Sequence, residues 1–325
     1  MKLARRQFLA GATGALASAV TTGALSQQPT QVTLVVPFPV GGSTDALARL
    51  VQVGLQKQLA ANVIIENKAG AVGSIGAAQV ARSKPDGSVL LVTFDSHAVI
   101  PALIEKPPLD INSDLEPVFL VGTAPYVIAA NASRPFKTFA DVIAAAREKP
   151  GKVTYASVGI GTIGHLAMTM LAKTAGVEIV HVPYKGGGPA INDVIGGHVD
   201  MIAGSIALVL PHLAGNDLRP LMQLGLKRQA ALADVPTANE SGFPSFEALA
   251  WWGVFAPKGT PPAVIERASQ AFKAVLSEDE PSRILRETQQ ITLLLEGPEG
   301  LRTFFARQVD IWGKVVRDNG ITVSN

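Results

Sequence analysis

The chain reads as an α/β protein built from two lobes around a hinged cleft. Three observations predict it. Strand-like and helix-like segments alternate along almost the whole chain, the pattern of parallel α/β sheets. Turn-rich boundaries fall near Gly122–Pro125 and Gly242–Gly253, dividing the chain into one lobe of residues 27–124 plus 251–325 and another of residues 125–250. In both lobes, strand ends run directly into glycine- and hydroxyl-rich helix starts.

The elements follow in order. Val32 to Val36 is a β-branched apolar strand stopped by Pro37 and Pro39. Gly41, Gly42, Ser43, Thr44 and Asp45 then open an amphipathic helix that reaches Leu59, and the hydroxyls and the acid are good N-caps. The two glycines let N–H groups turn outward at the positive end of that helix, an arrangement suited to a carboxylate or phosphate. An ordinary βα loop with a capping residue is the plainer alternative. Val63–Ile65 is a short strand, Ser74–Arg82 a helix, Lys84-Pro85-Asp86-Gly87 a turn and Val89–Thr93 a strand. Pro125–Ala130 reads as a strand and Phe139–Glu148 as a helix stopped by Lys149-Pro150-Gly151. Strands at Val153–Ser157, Val177–Val182, Val199–Ala203 and Leu218–Leu224 alternate with helices at His165–Thr174, Ala190–Ile195 and Val209–Leu213. Ala263–Leu276, Pro281–Glu287 and Gly300–Asn319 read as a helical C-terminal run.

Residues 1–26 have the form of an export signal: Lys2, Arg5 and Arg6, then a soft apolar run, with no acidic residue before Asp45. The adjacent arginines followed by Gln7-Phe8-Leu9 leave a Tat route and the general Sec route both open. Abundant Gly, Ala, Thr and Ser make the run a poor permanent span. Removing it subtracts three basic residues from 28 and none from 26 acidic ones, leaving 25 against 26, net −1. No basic run remains, so nucleic acid is not an expected partner. The chain has no cysteine, which excludes disulfides, thiol chemistry and Cys-based zinc sites.

Gly159-Ile160-Gly161-Thr162-Ile163-Gly164 is a literal GxGxxG between a strand and a helix. A dinucleotide site also needs an acidic residue ending the next strand, and that strand ends in His181-Val182-Pro183-Tyr184-Lys185 instead. No cofactor is expected. The better reading repeats the first device: Ser157 to Thr162, and Tyr184-Lys185 followed by three glycines, are further helix-opening loops at strand ends. The five histidines lack metal-ligand spacing, and no GxSxG occurs. Asn131-Ala132-Ser133 is a formal glycosylation sequon best read as a loop.

These loops carry a specific resemblance, spread over most of the chain. Pro37 to Asp45, Glu66 to Ala71, Pro85-Asp86-Gly87, Tyr155 to Leu166, His181 to Ala190, Gly196 to Asp200, Asp234 to Thr237 and Glu240 to Pro244 occur in order. Together they resemble the Bug/TctC family of extracytoplasmic binding proteins of tripartite tricarboxylate transporters. The resemblance implies a type II periplasmic-binding-protein fold that closes on a small carboxylic acid and hands it to a membrane permease or a sensor. It further implies that backbone amides and hydroxyls of Gly41, Gly42, Ser43, Thr44 and Asp45, and of Ser157, Gly161 and Thr162, meet the carboxylate. The segment Glu287–Gly297 departs from the family pattern, which has a glycine-centred turn there.

Other candidates follow from position. Phe38, between two prolines, is an expected wall of the cleft, with packing between lobes as the alternative. Asp45 faces either the ligand or its own helix start. Ser96 and His97, just past a strand end, are expected at the cleft floor, His97 as a neutral hydrogen-bonding residue. Ser205 ends another strand, and Tyr184 and Lys185 offer a wall and a charge, although Lys185 also reads as a solvated surface residue. Trp251 and Trp252 are expected to pack at the return crossover. The expected protein is a periplasmic monomer that binds a small organic carboxylate. The competing class is a periplasmic enzyme on an organic acid, using His97 or His181 as base.

Overall fold

The computed structural model describes residues 29–322, and the expected export signal at residues 1–26 lies outside them. The first lobe starts with β1 (Gln31–Val36), which feeds α1 (Ser43–Leu59). Leu47, Val51, Leu55 and Leu59 recur at helical spacing on the buried side of α1. β2 (Asn62–Asn67) pairs parallel with β1, Gln31 opposite Asn62. After α2 (Ser74–Ala81), β3 (Val89–Phe94) pairs with the other edge of β1, again parallel. A short tight turn, Asp95–Val99, leads into α3 (Ile100–Leu103).

β4 (Leu115–Asn131) runs 17 residues and belongs to both sheets. Its first part pairs with the first lobe and Tyr126–Ala130 pairs with the second. Only Pro125–Ala130 is expected from the sequence, with a turn-rich boundary near Gly122–Pro125, yet the strand runs through both Pro117 and Gly122. The register shifts between Pro117 and Phe119 and between Leu120 and Gly122, so bulges absorb both residues.

The second lobe contains α4 (Phe139–Glu148), β5 (Thr154–Ser157), α5 (Ile163–Ala175), β6 (Val180–Pro183) and α6 (Gly187–Ile195). β7 (Met201–Ser205), α7 (Ile206–Val209) and β8 (Leu218–Gln223) complete it. β5 lies between β6 and β7, parallel to both, while β7 and β8 flank β4 antiparallel.

Three segments meet where the lobes join. Tyr126 N–H donates to the Ala248 carbonyl, Ala248 N–H to Leu224 and Leu224 N–H to Tyr126. β9 (Leu249–Pro257) then slots antiparallel between β3 and β4. Trp251 and Trp252 are fully buried and point to opposite faces of that sheet. Trp252 leans on Phe94 with ring centroids 5.2 Å apart, and Trp251 meets Phe304 and Phe305 edge-on at 5.8 Å. The chain ends with α8 (Pro262–Leu276), α9 (Asp279–Arg283), β10 (Thr292–Glu296) and α10 (Pro298–Asp318).

Two expectations are corrected. The sheets are mixed: β1 pairs parallel with β2 and β3, and β5 with β6 and β7, while every pairing of β4 and β9 is antiparallel. The C-terminal run is not all helical, since β10 pairs antiparallel with β4, Thr292 opposite Thr123. In the segment expected to depart from the family pattern, Gln290 (φ 53°) and Leu295 (φ 51°) take the left-handed conformation.

Candidate ligand cleft

Four helices start at the carboxyl ends of strands: α1 after β1, α5 after β5, α6 after β6 and α7 after β7. None of the four carries a side-chain cap hydrogen bond. α4, by contrast, has a full capping box between Thr138 and Asp141. The first-turn N–H groups of α1 and α6 are thus left without a side-chain acceptor on the side where the lobes face each other.

Between the lobes lies a narrow cavity of about 20 Å³. Phe38, Gly42, Ser43, Thr44 and Phe94 line it from the first lobe, and Val158, Gly187, Ser205 and Leu208 from the second. No charged side chain is among them. The lobes are nearly in contact: a Cβ built on Gly42 would stand 3.9 Å from the Gly187 nitrogen, and one on Gly186 would stand 2.5 Å from Pro39 Cδ.

Of the sequence candidates, the structure brings Phe38, Gly42, Ser43, Thr44 and Ser205 to this cavity. The others sit behind it or away from it. Asp45 is buried and saturated: it accepts from Gly41 N–H at 3.1 Å, Arg49 Nε at 3.0 Å and Asn67 Nδ2 at 3.0 Å. Asn67 also donates to the Phe38 carbonyl at 3.1 Å, so the pair clamps the loop from behind. Burial opposes the charge on Asp45, but the bonds from Arg49, Gly41 and Asn67 outweigh it and hold its carboxyl below the usual range. The expectation that Asp45 faces a ligand gives way to a bracing role. Gly41 (φ +88°) supplies the left-handed turn that aims its N–H back at that carboxylate.

The second loop is braced in the same way. Ser157 Oγ donates to the Gly159 carbonyl at 2.9 Å and lies 2.6 Å from His181 Nε2. Thr162 Oγ1 donates to the same carbonyl at 2.8 Å, and Gly161 N–H donates to His165 Nδ1 at 2.9 Å. The polar groups of Ser157, Gly161 and Thr162 are therefore turned inward, which corrects the expectation that they present themselves to an acid. Gly161 instead packs on the Leu103 side chain across the lobe boundary. In the third loop, Tyr184 donates its hydroxyl to Asp193 at 2.6 Å, while Lys185 is exposed and is not among the residues lining this cavity.

Ser96 and His97 do not reach the cleft floor. Both are fully buried, and His97 packs against Phe255 and Phe305 with centroids 5.1 and 5.7 Å apart. Neither ring nitrogen has a partner, and burial pushes its pKa down to about 3. The turn after β3 curls under the sheet, so the cleft receives Phe94 where the sequence suggested His97. Phe94, Val158, Gly187 and Leu208 are the lining residues that sequence reasoning missed. A stricter reading of strand ends would have found Phe94, the last residue of β3.

A larger cavity of about 210 Å³, lined by Val32, Leu59, Leu90, Val264 and Arg267 among others, opens at the amino ends of β1 and β3. It lies at the opposite end of these strands from the helix starts. Open α/β sheets bind ligands at the carboxyl ends of their strands, so the narrow cleft is the candidate site.

The fold and the cleft define a periplasmic-binding-protein architecture of two α/β lobes. Residues 47–321 match the family described as the tripartite tricarboxylate transporter family receptor. The chain belongs to that family, the Bug/TctC family. Protein BugT of Bordetella pertussis is 35% identical over 314 residues, covering 95% of this chain and 94% of BugT. The solved periplasmic binding protein BugD superposes with a TM-score of 0.86 at 32% identity, covering 91% of this chain and 99% of BugD. An R. palustris protein solved with adipate gives 0.86 at 31% identity, covering 90% of this chain and 98% of that one.

Proposed function

We propose that this protein is an extracytoplasmic solute-binding protein that captures a small organic carboxylate between its lobes. The observation that carries the reading is the uncapped starts of α1 and α6, which approach each other from opposite lobes at Gly42 and Gly187. Such a pair offers backbone donors and two helix dipoles to an anion, with the hydroxyls of Ser43, Thr44 and Ser205 beside them. The relative solved with adipate supports a carboxylic acid as the class of ligand. Residues 27–124 with 251–325 and residues 125–250 would move as two bodies about the Tyr126, Leu224 and Ala248 crossover. The protein would work as a monomer in the periplasm, delivering the acid to a membrane permease of the tripartite type or to a sensor.

The test is a thermal-shift screen of organic, amino and aromatic acids, since a ligand that binds only the folded state raises the melting temperature. At least one acid should give a saturable shift in the native protein and none in Gly42→Leu, whose side chain would fill the cleft. A shift that survives the substitution sinks the carboxylate-loop reading.

One observation favours a second reading. The 2.6 Å contact between Ser157 and His181 is the spacing of a nucleophile and its base. Yet Ser157 is fully buried, and burial together with the neighbouring His165 charge pushes His181 down to about 3. A base that weak does little near neutral pH. Chemical conversion of a bound acid, followed by NMR, would establish the enzyme reading, and saturable binding without conversion would discard it.

A further inference from the structure

We propose that the larger cavity, at the amino ends of β1 and β3, is a second ligand site that takes a free α-amino acid with an apolar side chain. It lies at the other end of the strands from the interlobe cleft and does not depend on what that cleft binds. Its volume is about 210 Å³. An apolar cavity of about 150 Å³ already holds a benzene molecule, so a branched alkyl or phenyl side chain fits. The buried side chains of Val32, Leu59 and Leu90 line it from the first lobe's sheet and from α1. Val264 and Ala268, four residues apart, line it from one face of α8. Gly87 (φ +84°) lets the turn before β3 come close to α8: a Cβ there would stand 2.5 Å from Val264 Cγ1.

Two opposite charges line this apolar cavity without meeting each other. Asp86 and Arg267 are both half-buried lining residues, and among the described residues Arg267 makes no ion pair. Arg267 donates one N–H to the Leu59 carbonyl, one of the last carbonyls of α1, which have no partner within their own helix. That bond holds the guanidinium beside the cavity, and a guanidinium has five N–H donors. Asp86 Oδ1 accepts the Ser88 N–H at 2.9 Å. Burial opposes its charge, but the Ser88 hydroxyl and N–H outweigh burial and hold the carboxyl below the usual range, so it is ionised near neutral pH. A zwitterion answers both groups: its ammonium meets Asp86, its carboxylate meets Arg267, and its side chain enters the apolar space. A molecule with one charge satisfies one of them and desolvates the other without a partner.

The test is calorimetric titration of the full chain carrying Gly42→Leu, which fills the interlobe cleft and leaves this cavity alone. Leucine, 4-methylpentanoate and 3-methylbutylamine share one branched tail and differ in which of the two charged groups they keep. Leucine should bind saturably, and roughly tenfold tighter or more than either of the others, the effect of losing a hydrogen-bonded charge. Adding Arg267→Gln or Asp86→Asn should each weaken leucine by a similar factor. Both substitutions keep the local bond, because glutamine can still donate to the Leu59 carbonyl and asparagine can still accept from Ser88, and an unchanged melting temperature checks the fold. Leucine and phenylalanine both failing to bind the Gly42→Leu chain overturns the proposal. So does either singly charged analogue matching leucine, or leucine affinity that ignores Arg267→Gln and Asp86→Asn. Each of these results leaves the carboxylate reading of the cleft standing, since that reading is tested by acids on the native chain.

Discussion

His165 Nδ1 accepts the Gly161 N–H, so the neutral ring carries its proton on Nε2. The ring lies on His181 with centroids 4.0 Å apart and planes 10° from parallel, and Tyr155 closes the stack at 4.9 Å. Burial pushes His165 down to about 4, burial and the His165 charge push His181 to about 3, and burial alone takes His97 to about 3. All three imidazoles titrate near 6.5 when unfolded. Below that value the unfolded chain takes up protons the native state refuses, so stability is complete above pH 6.5 and falls as pH drops towards 4. For fully buried His97 the slope is about 1.4 kcal/mol per pH unit. Urea midpoints should therefore decline from pH 7 to pH 4, and His97→Phe should flatten the decline. A midpoint constant across that range contradicts it. At this scale the sequence revealed the cleft's glycines and hydroxyls but not its braces. Asp45 and Arg49, one helical turn apart, could be paired on paper, whereas Asn67 reaches Phe38 across 29 positions of chain through the register of β1 and β2.

Among the elements, the contrast between α4 and α1 separates stability from binding. α4 faces no ligand and has both halves of its capping box, Asp141 N–H to Thr138 Oγ1 at 3.2 Å and Thr138 N–H to Asp141 Oδ2 at 2.8 Å. α1 starts at Gly42 in extended backbone (φ −83°, ψ 168°), the conformation a capping residue adopts, yet no side chain caps it. Gly42→Asp should hold or raise the melting temperature, since the added Cβ meets nothing closer than 3.8 Å. It should also abolish acid binding, because a carboxylate would occupy the donors and repel the ligand. Thr138→Ala should cost about 1 kcal/mol of stability and leave affinity unchanged. Calorimetry and titration on the two variants give opposite patterns if the helix start is the binding element, and matching patterns refute it. The same logic explains which elements were legible. Short strands feeding helices announce themselves by a change of hydrophobic period. β9, with its WWGVFAP run, and β10, only five residues long, lack such a switch and exist because β4 offers them an edge.

For the molecule as a whole, closure is set by how near two backbones can come. Gly188 lies in the first turn of α6 with ordinary helical geometry, so alanine there is unstrained and is the better helix former by roughly 1 kcal/mol. Its Cβ, however, would stand 2.9 Å from the Val40 carbonyl oxygen and under 4 Å from Gly41, both in the opposite lobe. Backbone cannot rotate away as a side chain can, so the methyl group opposes only the arrangement in which the lobes have met. Gly188→Ala should therefore fold with native or slightly higher stability, bind acid more weakly through faster dissociation, and stay more open. Small-angle scattering should show less ligand-induced compaction than in the native chain. The aromatic wall of Phe38 and Phe94 and the lining residues Gly42, Ser43 and Thr44 are not among the atoms this methyl meets, so weaker binding without loss of stability isolates closure from recognition. Native affinity and full compaction in Gly188→Ala would mean that the lobes of the bound state do not meet along Pro39–Gly41 and Gly186–Gly188.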